Sequence, residues 1–237
     1  MRVLVTGGGS GIGRAIAHAF AEDGAEVTIT GRREDALEET SQGRMTCRVA
    51  DITDEGAVGA LFDRPFHTVI ANAGAGSPAA LTDITLADWN AMLAVNLTGT
   101  FLTFREGLRG MEGGGRLIAV ASIAALKGAS HLAAYTASKH GVLGLVRATA
   151  QEVARRGITC NAICPGFVDT PMADAAIANT MQRLDIDREA AIAKVAAGNP
   201  ARRLIDPSEV AATALFLASP GAAMVNGHAL SVSGGEV

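Results

Sequence analysis

The sequence predicts an α/β fold: a doubly wound sheet of about seven parallel strands with helices on both faces. Short β-branched runs alternate with Ala-rich helical runs along almost the whole chain. Several strand-like runs are nearly all apolar, as strands covered on both faces must be. A glycine-rich turn also stands between the first strand and the first helix.

The expected strands are VLVT (3–6), AEVTIT (25–30), MTCRV (45–49), HTVIA (67–71), RLIAVA (116–121), ITCNAI (158–163) and ALSV (229–232). Each is short and rich in Val, Ile or Thr, and turn-forming residues bound most of them. Helical periodicity falls near 11–23, 54–62, 86–109, 133–156 and 207–218; the last opens with Asp206 as N-cap and Pro207 at the first helical position. Only 172–200, from Met172 to Pro200, breaks the rhythm. It is helix-compatible and inserted where open α/β sheets build ligand-facing connections, so it reads as a substrate lid.

At 237 residues, the chain is sized for a single domain over 1–237 that carries both dinucleotide binding and catalysis. Hydrophobic residues make up 49% and charged residues 19%, ample for a core. The net charge of −4, without a basic block, excludes the electrostatic footprint of a nucleic-acid binder. The longest mostly apolar stretch, 117–126, is about half of what a bilayer crossing needs, so no membrane partner is expected. Cys47, Cys160 and Cys164 form an odd, unpatterned set that fits a reducing compartment, and the N-terminus enters a strand at once, so the expected location is cytoplasmic. Cys160 and Cys164 lie four apart with no further ligand nearby, so no metal site is expected.

The glycine turn is TGGGSGIG, Thr6 to Gly13, followed by RAIAHAFAEDG. Glycines tolerate positive φ and let the backbone approach a pyrophosphate, and a helix N-terminus offers it unpaired N–H groups. The order strand, glycine turn, helix therefore points to a dinucleotide in a Rossmann-like fold, through Gly7, Ser10, Gly11, Ile12 and Gly13. The spacing is GxxxGxG, with no GxGxxG frame, and no Lys follows as in a Walker loop. The second strand ends TITGRRE. A carboxylate there would hold the ribose 2′-hydroxyl of NAD, whereas arginine accepts the 2′-phosphate of NADP. Gly31 occupies the acid position and Arg32 and Arg33 follow, so NADP(H) is favoured and NAD(H) remains the alternative.

Tyr135 and Lys139 are four apart at the start of a helical run, so both leave one helical face. An ammonium within ~4–6 Å stabilises phenolate, lowers a tyrosine pKa and brings acid–base chemistry within range. In a chain with a single Tyr, chance places a Lys at that offset about once in eighty. Ser122 ends the strand RLIAVAS, at the edge where such sheets place their chemistry, and can hydrogen-bond a carbonyl. His131, four residues before Tyr135, is a candidate pocket residue; the other histidines, Trp89 and the Phe residues read as structural.

Over the full chain these residues resemble the short-chain dehydrogenases/reductases of the single-domain subgroup. TGGGSGIG is similar to the family's TGxxxGIG turn, and Asp51 with Ile52 resembles its adenine contact. ANAG, with Asn72, Ala73 and Gly74, resembles its NNAG turn, Ala71 replacing the first Asn. VNLTGTF contains Asn96, ASIAA Ser122 and YTASK the Tyr–Lys pair, and CPGFVDTPM resembles the PGxxxT segment with Pro165, Gly166, Val168 and Thr170. The resemblance implies that Tyr135 exchanges the proton, Lys139 lowers its pKa and holds the nicotinamide ribose, Ser122 fixes the carbonyl or hydroxyl, and Asn96 completes a water-linked relay to Lys139. It assigns Val168 and Thr170 to the carboxamide edge. It implies a homotetramer packed through the helices carrying Asn96 and Tyr135.

Independently, an Asn inside the helical run DWNAMLAVNLTGTFLTF costs helix stability and asks for a local reason, relay duty or a tolerated kink. The expected activity is hydride transfer between a nicotinamide and a small-molecule ketone or secondary alcohol, with 3-oxoacyl thioester reductases and polyketide ketoreductases most similar. An NAD-linked secondary alcohol or 3-hydroxy acid dehydrogenase is the alternative, and a catalytically silent nucleotide-sensing regulator a third reading. An acyl carrier protein partner is left open: MEGGG before the fifth strand lacks the basic residues such reductases present, while Arg155 and Arg156 retain the idea.

Overall fold

The computed structural model describes residues 1–237. Seven strands form one parallel sheet: β1 (Arg2–Thr6), β2 (Glu26–Gly31), β3 (Thr46–Val49), β4 (Thr68–Ala71), β5 (Arg116–Val120), β6 (Thr159–Pro165) and β7 (Ala229–Val232). Their spatial order is β3-β2-β1-β4-β5-β6-β7. All seven lie within a few residues of their expected places. The order reverses between β1 and β4, paired from Val3↔Thr68 to Val5↔Ile70, and a crevice opens at such a switch point beyond the strand C-termini.

Alternation along the central strands builds two cores. Val3, Val5, Ile70, Ile118, Val120 and Ile163 face the layer that contains Ile16, Phe20 and Leu217. Leu4, Val69, Leu117, Ala119, Cys160 and Ala162 face the opposite layer, with Phe104, Val142 and Val146. The first layer holds α1 (Gly11–Glu22), α2 (Glu34–Ser41) and α9 (Pro207–Ala218); the second holds α5 (Gly99–Gly110) and α6 (Ala133–Val153). Both faces are thus covered, which is why strict polar–apolar alternation is missing from the sequence.

Three departures from the expected elements have local causes. The helix α2 was not expected: it is short, its N-cap Arg33 offers no side-chain cap, and Gln42 ends it in the left-handed region at φ 48°. The run 86–109 is not one helix but α4 (Leu86–Leu93), a π-helical turn (Ala94–Thr98) and α5. Segment 172–200 folds into α7 (Pro171–Leu184), α8 (Arg188–Val195) and a 3₁₀ turn (Ala196–Gly198). The small helix α3 (Glu55–Ala60) is capped by Asp54, which accepts from the Ala57 amide. No helix is long and apolar enough to cross a membrane.

Candidate active site

A cleft of about 310 Å³ runs along the C-terminal edge of the sheet, lined from the ends of six strands. Gly7, Ser10, Gly11 and Ile12 follow β1; Gly31 ends β2 and Arg32 follows it; Ala50, Asp51 and Ile52 follow β3; Asn72 to Ala75 follow β4. Val120 and Ala121 belong to the end of β5, and Thr170, Pro171 and Met172 follow β6. Tyr135 and Lys139 close the wall from the first turns of α6.

The glycine turn fits a pyrophosphate. Gly7 has φ 66°, open to glycine at no steric cost, and a Cβ there would lie 2.8 Å from Ala73 Cα. A Cβ on Gly13 would overlap the Gly7 carbonyl and the Asn72 amide, so Gly13 serves close packing of α1 on the turn rather than lining the cleft. Ser10 is the N-cap of α1 but its hydroxyl makes no capping bond, leaving the first amides of the helix without side-chain partners. Such a cradle of free N–H groups at a positive helix end is suited to a phosphate.

Beside it, Asn72 locks β1 to β4. Its Nδ2 donates to the carbonyls of Thr6 (2.9 Å) and Gly7 (3.3 Å), while Thr6 Oγ1 accepts from the amides of Asn72 (3.0 Å) and Ala73 (3.1 Å). Arg14 braces the turn from behind, donating to Gly9 O, Thr40 and Glu39. Neither Thr6 nor Arg14 was picked out from the sequence, where a strand-end Thr and a helical Arg carry no distinguishing pattern.

At the β2 and β3 end, Asp51 Oδ1 accepts from both the amide (2.9 Å) and hydroxyl (2.8 Å) of Thr53. Those bonds, with a smaller contribution from Arg32, hold its carboxyl below the usual range despite partial burial. Arg32 is exposed, lines the cleft and makes no ion pair. Arg33, expected beside it, does not line the cleft: it is exposed as the N-cap of α2.

Pro165, Gly166 and Val168 also lie outside the lining. Pro165 ends β6, Val168 is buried in the core and bridges to Ile205, and Gly166 packs under Ile205 and Glu236. Of the PGxxxT segment, only Thr170 reaches the cleft wall. His131 does not line it either; it is exposed in the left-handed region (φ 62°), and its carbonyl accepts from Ala79 (2.8 Å), tying two loops together. The glycine and alanine lining positions, Gly31, Ala50 and Ala75, went unrecognised because they act through shape alone.

The polar cluster beneath the cleft contains Ser122, Tyr135, Lys139, Asn96 and Cys164. Ser122 leaves β5 and caps a 3₁₀ turn, its hydroxyl accepting from the Ala124 amide (3.1 Å). It stands beside Tyr135 and opposes, without cancelling, the burial that pushes the phenol's pKa up from its ordinary value. Lys139 is buried; its ammonium donates to the Val120 carbonyl (3.0 Å) and lies 5.7 Å from the Tyr135 ring centre. Burial pulls its pKa down to about 8. The Cys164 thiol is pushed up to about 11 by burial and is neutral at pH 7.

In the bare chain the net shift of the Tyr135 pKa is upward, where the sequence expectation has Lys139 lowering it. Desolvation sets the sign, and the phenol stays protonated.

Asn96 is fully buried in the π-helical turn. Its Oδ1 accepts from Ala75 N (2.9 Å), and its Nδ2 donates to Ala75 O (2.9 Å) and the Ser138 hydroxyl (3.1 Å). Ser138 in turn donates to the Tyr135 carbonyl (2.7 Å). The helix is interrupted at this Asn, as the kink reading expects, and the side chain fastens the β4 loop to the first turn of α6. No direct hydrogen bond joins Asn96 to Lys139; Gly74 lies between them, where a Cβ would be 3.0 Å from Asn96 Oδ1 and 3.5 Å from Lys139 Nζ. No cluster of three His, Cys, Asp or Glu side chains is placed to hold a metal ion.

The geometry thus joins a dinucleotide cradle to a phenol, an ammonium and a hydroxyl. A family model described as enoyl-(acyl carrier protein) reductase matches residues 7–236. The 3-oxoacyl-(acyl-carrier-protein) reductase of Vibrio cholerae is 37% identical over 243 residues, covering 98% of this chain and 95% of that protein. The D-beta-hydroxybutyrate dehydrogenase of Cupriavidus necator is 36% identical over 249 residues, covering 99% and 96%. Among solved structures, a Phe-to-Trp variant of actinorhodin polyketide ketoreductase with NADPH superposes with a TM-score of 0.94 at 34% identity, covering 99% of this chain and 96% of that one. The chain belongs to the short-chain dehydrogenase/reductase family, oxidoreductases that interconvert C–OH and C=O groups.

Proposed function

We propose that this chain is a single-domain, NADP(H)-dependent reductase of small-molecule ketones. The observation that carries the reading is a Tyr135 phenol, one helical turn from Lys139 and beside Ser122, in the wall of a cleft whose other end is a phosphate cradle. When bound, the coenzyme supplies or accepts hydride at the reacting carbon. Ser122 and Tyr135 together hold the substrate oxygen, and Tyr135 donates the proton to it as the alcohol forms. Lys139 holds the coenzyme ribose from the buried side of α6, and Asn96 fixes the register of the Ala75 loop against that helix. A phenol kept protonated at pH 7 favours reduction; alcohol oxidation needs the phenolate and gains with rising pH.

Segment 172–200 serves as the substrate cover. Met172 lines the cleft, and a Cβ on Gly76 across from it would lie 3.7 Å from the Tyr135 ring and 3.9 Å from Met172 Sδ. The only cationic side chains in the lining are Arg32, at the β2 end, and the buried Lys139. The substrate end therefore offers no surplus charge to a carboxylate, which favours an uncharged ketone over a 3-oxo acid. Arg155 and Arg156 do not argue for a carrier-protein partner: they lie roughly 30 Å along α6 from Tyr135, and Arg156 donates to the carbonyls of Leu108 and Met111. The homotetramer implied by family resemblance would pack through α4, α5 and α6, where Phe101 is exposed.

A panel of uncharged ketones, acetoacetate and an acetoacetyl thioester, assayed with NADPH and NADH by loss of reduced-nicotinamide absorbance, tests the reading. Wild type is expected to prefer NADPH and uncharged ketones. Removing the one unpaired charge-assisted contact by Arg32→Ala should raise KM for NADPH about tenfold and leave KM for NADH within about twofold. Arg33→Ala should change neither by more than about twofold. Equal use of both coenzymes by wild type, or an Arg32→Ala variant with unchanged preference, would favour the NAD-linked dehydrogenase reading.

A further inference from the structure

The last residues of the chain run back across the base of the helical cover, and one acid there is unusually enclosed. The Glu236 side chain is 11% exposed, and its Oε1 pairs with Lys127 Nζ at 2.8 Å. A Cβ on Gly198 would lie 2.5 Å from Oε1, and one on Gly166 3.5 Å from Oε2. A single carboxylate is therefore paired with the loop that follows Ser122 and packed beside both the turn that follows β6 and the last turn of the cover. Next to it, Gly234 packs against Asn199, which is buried and bonds to Arg203 O (2.9 Å) and Ala201 N (2.8 Å).

The cover has a small core of its own. Ala173, Ile177 and Ala191 form a cluster separate from the two large cores, with Met181, Ile192 and Val195 packed on it. Helices α7 and α8 are consequently held to each other by this cluster, and their attachment to the sheet edge depends on the two ends of the segment. The first end is Thr170–Pro171 at the cleft wall. The second is Gly198–Asn199, the place where Glu236 and Gly234 bear on it.

We infer that Glu236 is a positioning residue whose carboxylate clasps Lys127 to the Gly198 end of the cover and so sets how firmly the cover closes over a carbonyl substrate. This rests on reading 172–200 as that cover. An ion pair joining the chain terminus to the loop after Ser122 couples the cover to the hydroxyl that holds the substrate oxygen. An acid this enclosed, left without its lysine, must rehydrate, which draws the tail away from Gly198.

Glu236→Gln, Lys127→Met and the charge swap Glu236→Lys with Lys127→Glu test it. Tryptic cleavage at Arg183, Arg188, Lys194, Arg202 and Arg203 reports opening of the cover without requiring turnover. In Glu236→Gln we expect cleavage in this window to accelerate about fivefold, and KM for a ketone to rise by a similar factor. The kcat and the NADPH Kd should stay within about twofold. The charge swap should recover at least about half of both losses. Cleavage and KM within about twofold of wild type in both single variants would overturn the inference. So would a parallel loss of coenzyme affinity with cleavage spread over the whole chain, the signature of general loosening. If no carbonyl compound is reduced by wild type, the proposed function fails while the cleavage result still decides the clasp.

Discussion

Replacing Tyr135 by Phe should lower kcat for ketone reduction about 10³-fold while leaving NADPH affinity within about threefold. The substitution removes one hydroxyl and keeps the ring that lines the cleft, so its effect reports the proton and not the shape of the wall. The phenol is protonated at neutral pH, because burial raises its pKa more than the neighbouring Ser122 lowers it. A donor of this kind is ready for reduction across the neutral range. In the opposite direction the phenol must first lose its proton, so alcohol oxidation by wild type should increase toward alkaline pH. Rate profiles in both directions check the pair of expectations, and a Tyr135→Phe enzyme that keeps wild-type kcat would remove the assigned donor.

Lys139→Met is expected to separate stability from activity. The ammonium is buried with one hydrogen bond, to Val120 O, and its pKa falls to about 8 from 10.5. Because the folded pKa is the lower, the unfolded chain binds more protons between these values, and stability attributable to this group rises with pH from about 8 to 10.5. Below about 8 the folded protein carries the full desolvation cost. Methionine fills similar space without charge, so the bare variant should be more stable than wild type by about 2 kcal/mol at pH 7, after allowing for the lost hydrogen bond. The advantage should shrink as pH climbs above 8. Reduction should nevertheless drop about 10²-fold or more, since no ammonium remains to hold the coenzyme ribose. Denaturant unfolding at several pH values measures the first effect and steady-state kinetics the second. A less stable variant at pH 7 would contradict the assignment of Lys139 as a strained, functional charge.

Much of this site is legible in the amino-acid order because its chemistry sits at strand ends. Gly7, Ser10 and Gly11 are readable since only a strand, a glycine turn and a helix in that order produce a phosphate cradle. Tyr135 and Lys139 are readable since an i,i+4 offset puts them on one face. What was hidden depends on three-dimensional packing. Arg32 and Arg33 are indistinguishable in sequence, yet β2 ends at Gly31 and α2 begins at Glu34, which leaves Arg32 in the cleft wall and Arg33 exposed at the N-cap position of a helix. The π-helical turn at Asn96 cannot be read from helical periodicity, because a one-residue widening changes no composition. The raised Tyr135 pKa could not be foreseen from spacing either: the offset fixes proximity to Lys139, but burial decides the sign. The clasp at Glu236 joins residues 109 positions apart, beyond any local pattern.

The most direct test follows the hydrogen atoms. A single turnover of wild-type protein with an uncharged ketone and reduced coenzyme carrying deuterium at both nicotinamide C4 positions should place deuterium on the new carbinol carbon and slow the step with a primary isotope effect. A reduced product without deuterium at that carbon, or no turnover by a protein that binds the coenzyme, would contradict direct hydride transfer in this cleft.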